Sequence, residues 1–238
     1  FLISSNQKKY LFCEDFNYNE NIGKISSFQI YKNGLRKYAN VLKNKKHLSF
    51  PFIFKYKKKI LMCPESGSYN DIRIYESTNF PNRWKFKKTI IKGINAADNI
   101  IFYKKKYWWL ITSINLNTNS NFQNYIMIFY SKNIFSKNWI EHSMNPIFCQ
   151  KENARNAGFL VDKKLLFRIS QNIKNNFYGS YIKINKILRL NKDNYKEKKF
   201  TKFDTDLKFL KRNNLIGIHH LNMSNGTFVF DAYRKNKL

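Results

Sequence analysis

Two carboxylates stand at the borders of strongly apolar runs. Glu65 follows Pro64 at the end of Ile60–Pro64, and Asp98 comes just before Asn99–Phe102. Two carboxyls facing each other across a cleft are the minimum for glycosidic chemistry: one protonates the leaving oxygen and the other activates water or attacks. In a transfer reaction, Asp98 or Glu65 is the base expected to activate an acceptor hydroxyl. The competing reading has Asp98 capping a turn and Glu65 bonded to backbone amides. Glu14 repeats the Glu65 position one repeat earlier. Other polar residues take similar border positions: His47, Arg155, Gln171, His219 and His220. Arg155 and Arg168 are two of 8 arginines in a chain with 36 lysines. Arg in place of Lys suggests a use for the planar fork, against a phosphate, a substrate carboxylate or an internal acid. His219 or His220, with Gln171 and His47, would bond sugar hydroxyls. Neighbouring strand residues face opposite ways, so at most one of His219 and His220 faces a given cleft. No Cys/His spacing of a metal site is present, no cofactor is expected, and Asp204-Thr205-Asp206 has a metal-motif spelling in a Lys-rich loop.

These residues must be positioned by a phrase that the chain repeats five times: an apolar strand, a basic or polar turn, and a second apolar strand. The repeats are Phe1–Glu14, His47–Glu65, Asp98–Ser113, Arg155–Gln171 and His219–Asp231. Their second strands start at Tyr10, Ile60, Tyr107, Leu165 and Thr227, in steps of 50, 47, 58 and 62 residues. A period near 50 with strands in every repeat points to a β-propeller with one repeat per blade. In such a fold, equivalent strand ends gather at one mouth. Third strands are expected at Lys24–Tyr31, Ile72–Glu76, Tyr125–Ser131 and Tyr181–Ile187, and a fourth at Trp84–Ile91. The stretch Trp139–Phe148 reads as an outer strand, and Asn115–Asn124 and Asn191–Phe203 as polar loops. The expectation is an all-β, five-bladed propeller, a single domain over residues 1–238. Because Phe1 opens inside a strand, N-terminal strands are expected to be missing.

The net charge is +29 and the sequence pI about 10.0. Such a balance suits a partner with phosphates. The lysines are spread over several hairpin turns, though, and Arg is scarce beside abundant Lys and Asn, which favours composition drift with solvated turns, argues against nucleic acid and keeps an anionic membrane surface or glycolipid as the alternative charged partner. Three cysteines do not make a disulfide framework. Cys13 and Cys63 hold equivalent places in their repeats and read as packed strand positions. A cytoplasmic setting is expected, with membrane association left open. Trp108 and Trp109 adjoin on opposite faces and read as core.

A set of motifs runs through the chain in order: H-L-S-F-P-F (47–52), C-P-E-S (63–66), F-P-x-x-W (80–84), A-D (97–98), W-W-L (108–110), W-I-E-H-x-x-N-P-I (139–147), A-R-x-A-G (154–158), F-R-x-S-Q (167–171), Y-G (178–179) and G-I-H-H-L (217–221). Together they resemble the propeller-type domain at the N-terminus of plant glucosamine inositolphosphorylceramide transferases, and related domains of bacterial surface-glycan proteins. That domain is in turn similar to the five-bladed propellers of family 43 glycoside hydrolases. The wider group places a base Asp in the first blade, an assisting Asp in the second and an acid Glu in the third. Here the second blade offers Glu65 and the third Asp98, and the first-blade Asp would precede Phe1, so the triad does not carry over as a set. The resemblance implies a carbohydrate or nucleotide-sugar substrate and glycosyl transfer in surface-polysaccharide or glycolipid assembly. A glycoside hydrolase and a non-catalytic glycan-binding module are the alternatives.

Overall fold

A computed structural model describes residues 1–118, 121–148, 153–174, 177–204 and 208–234. Apolar–polar alternation builds antiparallel sheets whose strands follow chain order. The first holds β1 (Leu2–Ser5), β2 (Lys8–Asn17), β3 (Ile22–Tyr31) and β4 (Gly34–Leu42); the second holds β5 (Ser49–Tyr56), β6 (Lys59–Glu65), β7 (Asp71–Asn79) and β8 (Arg83–Lys92). The third holds β9 (Ala96–Lys104), β10 (Tyr107–Thr118), β11 (Asn121–Ser131) and β12 (Ile140–Glu141); the fourth holds β13 (Asn156–Asp162), β14 (Leu165–Lys174), β15 (Phe177–Leu190) and β16 (Tyr195–Asp204). A short helix, α1 (Lys208–Arg212), leads into a two-stranded sheet of β17 (Leu215–Ser224) and β18 (Thr227–Arg234). The four-stranded meander is the blade unit of a propeller. The chain groups into two compact units, Phe1–Ile114 with Phe129–Glu141 and Asn115–Ile128 with His142–Leu238.

The all-β, propeller-like arrangement agrees with the repeats, but the expected blade count does not. Among the described residues four sheets have four strands, and the fifth repeat forms the β17–β18 pair alone. The residues between the fourth and fifth hairpins go into a 14-residue β15 and a 10-residue β16. Most of the expected polar loop Asn191–Phe203 is therefore strand β16, and β4 is a further strand without a clear apolar signal. Both are outer strands; in β16 lysines replace alternation and protect an open edge, while β4 has the one lysine Lys37 beside Arg36. The expected loop at Asn115–Asn124 is largely the facing ends of β10 and β11, with residues 119–120 outside the described set. Of Trp139–Phe148, only Ile140–Glu141 pairs as a strand, joined by an isolated Ile126–Phe148 bridge.

One backbone feature recurs where the chemistry-bearing residues begin. The first strand of a hairpin carries one extra residue near its start, between Ser49 and Phe52, between Ala97 and Ile100, between Asn156 and Gly158, and between Ile218 and His220. Such β-bulges bend a strand and re-aim side chains, and they are over-represented beside functional sites. Asp98 (φ +53°) and Phe50 (φ +41°) occupy equivalent bulge positions in the left-handed region. An aromatic residue has no preference for that region. The hairpin architecture therefore imposes this conformation, and the aspartate at 98 is a separate choice.

In the second unit, Ala157, Leu160, Phe167, Ile169, Ile182, Leu210, Ile218 and Leu221 form the core. Gly158 (φ +131°) lets β17 approach so closely that a Cβ there would lie 2.0 Å from the Leu221 carbonyl oxygen. In the first unit, Phe1 packs edge-on against Phe50 and Phe52, and Phe12 against Trp84. Trp109 is buried and donates its Nε1–H to the Lys104 carbonyl, as a core residue does, while Trp108 is half-buried and packs on Phe54 and Tyr56. Cys63 is fully buried, and burial pushes its thiol far up, away from nucleophilic use.

Candidate functional site

Of the eight candidates, His47, Glu65 and Asp98 lie in the first unit. Glu65 closes β6, and Asp98 sits in the bulge of β9. The backbone N–H of Asp98 donates to Glu65 Oε2 at 3.2 Å, tying the two carboxylate-bearing residues together across neighbouring sheets. Asp98 is only 2% exposed, while Glu65 is partly open to solvent. Two buried residues hold this corner. Asn99 donates to the Pro64 carbonyl at 3.2 Å, and Thr112 Oγ1 lies 2.8 Å from Asn99 Oδ1. Glu65 thus does bond a backbone amide, the bland alternative for this residue. The same bond also brings it to Asp98.

His47 is fixed by a residue that the sequence did not single out. Its Nδ1 accepts from the Gly23 N–H at 3.0 Å, which leaves the ring proton on Nε2, 3.5 Å from Glu14 Oε1. A Cβ on Gly23 would lie 2.6 Å from Glu14 Oε1 and 2.7 Å from His47 Cε1, so glycine is what lets the pair close. The Phe16 ring lies 6.0 Å from His47 and 5.1 Å from Tyr18. Both aromatics line an open groove of about 390 Å³ with Asp15, Asn17, Asn19, Lys24 and Asn40. Amides, a carboxylate and aromatic faces are a lining suited to a sugar: hydroxyls meet the polar groups and C–H faces meet the rings.

The remaining five candidates are in the second unit. Arg168 is fully buried. Its Nε and Nη2 donate to Glu197 Oε2 and Oε1 at 2.9 and 2.7 Å, and its Nη1 donates to the Asn153 carbonyl and Asn156 Oδ1, each at 3.1 Å. Tyr195 donates to the same Glu197. Burial opposes the charge on Arg168, but Glu197 outweighs it and holds the guanidinium more firmly protonated than usual. The planar fork is used against a carboxylate, as its retention suggested, but that carboxylate is the chain's own. This corrects the expectation of a substrate anion. Glu197 and Tyr195 were hidden in the supposed polar loop; their spacing of two, on one strand face, was the available signal.

Gln171 is buried and donates to the Asn156 carbonyl at 3.0 Å, an internal bond beside the Asn156–Arg168 contact. The Arg155 carbonyl accepts from the Gln171 N–H at 3.0 Å, and the Arg155 residue is half-buried at the start of the hairpin. His219 places Nδ1 3.4 Å from Asp231 Oδ2, and its backbone N–H donates to Asp231 Oδ1 at 3.1 Å. Desolvation pushes Asp231 up, but the His219 hydrogen bond and charge outweigh it, so its carboxyl titrates below the ordinary range. His220 places Nε2 out of reach of solvent, and burial depresses its pKa to about 3. Its ring is neutral and its Nε2 shielded, while the residue as a whole is half-buried, as His219 is. Among the described residues no group of three His, Cys, Asp or Glu side chains could hold a metal ion. Thr205 and Asp206 of the metal-like spelling lie outside the described residues.

The sequence family described as "Glucosamine inositolphosphorylceramide transferase 1, N-terminal" matches residues 1–229. The chain belongs to this family. It is 34% identical over 192 residues to glucosamine inositolphosphorylceramide transferase 1 of Arabidopsis thaliana, covering 77% of this chain and 24% of that protein. It is 34% identical over 154 residues to the protein of the same name from Oryza sativa subsp. japonica, covering 63% and 20%. The chain therefore spans about a quarter or less of these relatives' length. Among solved structures, an endo-1,4-beta-xylanase from Bacteroides thetaiotaomicron superposes with TM-score 0.66 at 13% identity, covering 98% of this chain and 83% of that one. An exo-1,5-alpha-L-arabinanase from a bovine ruminal metagenomic library superposes with TM-score 0.63 at 12% identity, covering 83% and 76%. At such identities these likenesses show the fold alone.

Two motifs that carry the transferase-family resemblance are structural in this domain. In F-P-x-x-W, Trp84 donates to the Pro81 carbonyl at 2.8 Å while Phe80 packs against Tyr10 and Phe12. In W-I-E-H-x-x-N-P-I, Asn145 brackets the Ile128 backbone with both amide atoms, and His142 Nε2 meets the Asn191 carbonyl at 2.8 Å. The A-D and C-P-E-S motifs, in contrast, deliver the Asp98–Glu65 pair.

Proposed function

We propose that this domain acts on glycans by glycosyl transfer, in the assembly of a glycolipid or surface polysaccharide. The observation that carries the proposal is the placement of Asp98 in a strand-start bulge with Glu65 bonded to its backbone, in a chain of the transferase family. Asp98 is the proposed base. It takes the proton from an acceptor hydroxyl; that oxygen attacks the anomeric carbon of a nucleotide-sugar, and the nucleoside diphosphate leaves with the electron pair of the broken C–O bond. Glu65 positions Asp98 by accepting its N–H. Groups with suitable chemistry for sugar hydroxyls or phosphate are His47 and the Phe16–Tyr18 groove in the first unit, and Arg155 and His219 in the second. We read the β17–β18 sheet as a fifth, incomplete blade.

A thermal-shift panel tests the substrate class, with nucleotides and nucleotide-sugars in one arm and oligosaccharides in the other. A ligand at 100 times its dissociation constant stabilises by about 2.7 kcal/mol. A shift with one nucleotide-sugar supports a transferase and names the donor. A shift with oligosaccharides alone contradicts the donor site and moves the reading to a glycoside hydrolase or a glycan-binding module.

A further inference from the structure

The outer strands of the fourth sheet carry an electrostatic conflict that the second unit does not resolve. In the β15–β16 register, Lys186 stands directly opposite Lys198, and Arg189 directly opposite Lys196. Directly opposed residues share a face, and so do residues two apart on one strand, so Lys196 and Lys198 bring all four cations onto one face. Like charges in direct opposition destabilise a sheet. Glu197 lies between the two lysines but faces the other way, where Arg168 holds it. Among the described residues none of the four cations forms an ion pair, and neither does Asp193 in the adjoining turn.

Two large apolar side chains flank this cluster. The register skips Leu188 on β15 and Phe200 on β16, so each sits in a bulge, and they are 50% and 68% exposed. Phe200 leans on Phe167 at 5.5 Å and presents the rest of its ring to solvent. Lysines on β16 alone would be ordinary protection of an open edge. That purpose does not account for Lys186, which is paired with Phe167 of β14 on one side and Lys198 of β16 on the other; Arg189 lies past the end of the β14 register and pairs with β16 alone.

We propose that the exposed end of this face, Lys186–Arg189 with Lys196–Phe200, docks onto an anionic membrane surface; nearer Ile182 and Ile184 the same face packs into the core. Phospholipid headgroups would neutralise the opposed cations, and Leu188 and Phe200 would enter the headgroup–acyl boundary. Three of the four cations are lysines, which suit diffuse headgroup charge; recognition of a nucleic-acid backbone leans more on the bidentate fork of Arg. This inference does not depend on any chemistry at Asp98.

The test is vesicle co-sedimentation of the 238-residue chain at low and at physiological salt. It uses phosphatidylcholine vesicles with and without phosphatidylserine. The face variant carries Lys186→Gln, Arg189→Gln, Lys196→Gln and Lys198→Gln. A control removes the same charge from hairpin turns through Lys8→Gln, Lys57→Gln, Lys58→Gln and Lys105→Gln. The expected result is binding only to phosphatidylserine vesicles, weakened about fivefold per neutralised face cation and more than about a hundredfold by all four. The control should retain most of the binding. The face variant should melt at or above the wild-type temperature in low salt, because the opposed charges are gone. If it melts lower, Lys198→Gln and Arg189→Gln are compared singly against single turn variants. Equal losses from face and turn variants would overturn the proposal, as would wild-type binding indifferent to phosphatidylserine. Preferential displacement of vesicles by a single-stranded oligonucleotide, lost only in the face variant, would also overturn it and assign the face to nucleic acid.

Discussion

The backbone N–H of Asp98 meets the Glu65 carboxylate at 3.2 Å, in a bulge where Asp98 adopts a φ of +53°. Asp and Asn tolerate that conformation better than most residues. As far as backbone conformation goes, Asp98→Asn and Asp98→Gly should both be tolerated at this φ. Asp98→Ala should cost about 1 kcal/mol. Glu65→Ala removes the acceptor of this N–H and should cost about 1–3 kcal/mol. Urea melts of the four variants check the order; a large loss in Asp98→Asn would mean that the carboxylate itself holds the fold.

The approach of β17 to β13 gives a sharper prediction. A Cβ at Gly158 would lie 2.0 Å from the Leu221 carbonyl oxygen, at a φ of +131°. Gly158→Ala must push apart the β13 and β17 backbones, which flank the core of the second unit. The expected loss is more than about 3 kcal/mol, or failure to fold. Circular dichroism and a melt of the variant measure it, and near-wild-type stability would contradict this packing.

Arg168 separates a structural role from a substrate role. Arg168→Lys keeps a charge but cannot reproduce the two parallel bonds to Glu197 or the bonds to Asn153 and Asn156. Breaking a buried pair of this kind costs about 3–5 kcal/mol. The melt should fall accordingly. A variant of normal stability that has lost only ligand binding would return Arg168 to the substrate.

His220 makes stability fall on mild acidification. Its folded pKa is about 3, against an ordinary histidine value of 6.5. Between these values the unfolded chain binds a proton that the folded chain does not. Its contribution is intact above 6.5 and declines as the pH drops toward 3. From pH 7 to 5.5 the loss should be about 1 kcal/mol. Urea titrations at both pH values measure it, and His220→Gln should flatten the difference. An unchanged difference in that variant would show that other groups set it.

The hairpins were legible because their apolar runs alternate and their turns are polar, as at Phe50–Phe54 and Ile60–Cys63. The outer strands were not. In β16 the run Lys196–Lys199 shows lysines where alternation should be, since an edge strand gains more from charge than from burial. For the same reason the partner of Arg168 stayed hidden: Glu197 is 29 residues away in what reads as loop. Glu65 and Asp98 could be picked out as strand-border carboxylates, but their contact depends on a bulge with no residue signature, since Phe50 adopts the same conformation. The His220 Nε2 is shielded beside Gly158, where a Cβ would lie 3.4 Å from it, a long-range contact that the H-H dipeptide does not reveal.

The most direct test of the account is single-turnover product formation by wild type, Asp98→Asn and Glu65→Gln, with the donor that gives a thermal shift and a glycolipid acceptor. The account predicts transfer by wild type. It predicts a rate about 10²–10⁴-fold lower in Asp98→Asn, with donor affinity unchanged. Equal rates in wild type and Asp98→Asn, or no transfer by wild type with any donor that binds, would contradict it.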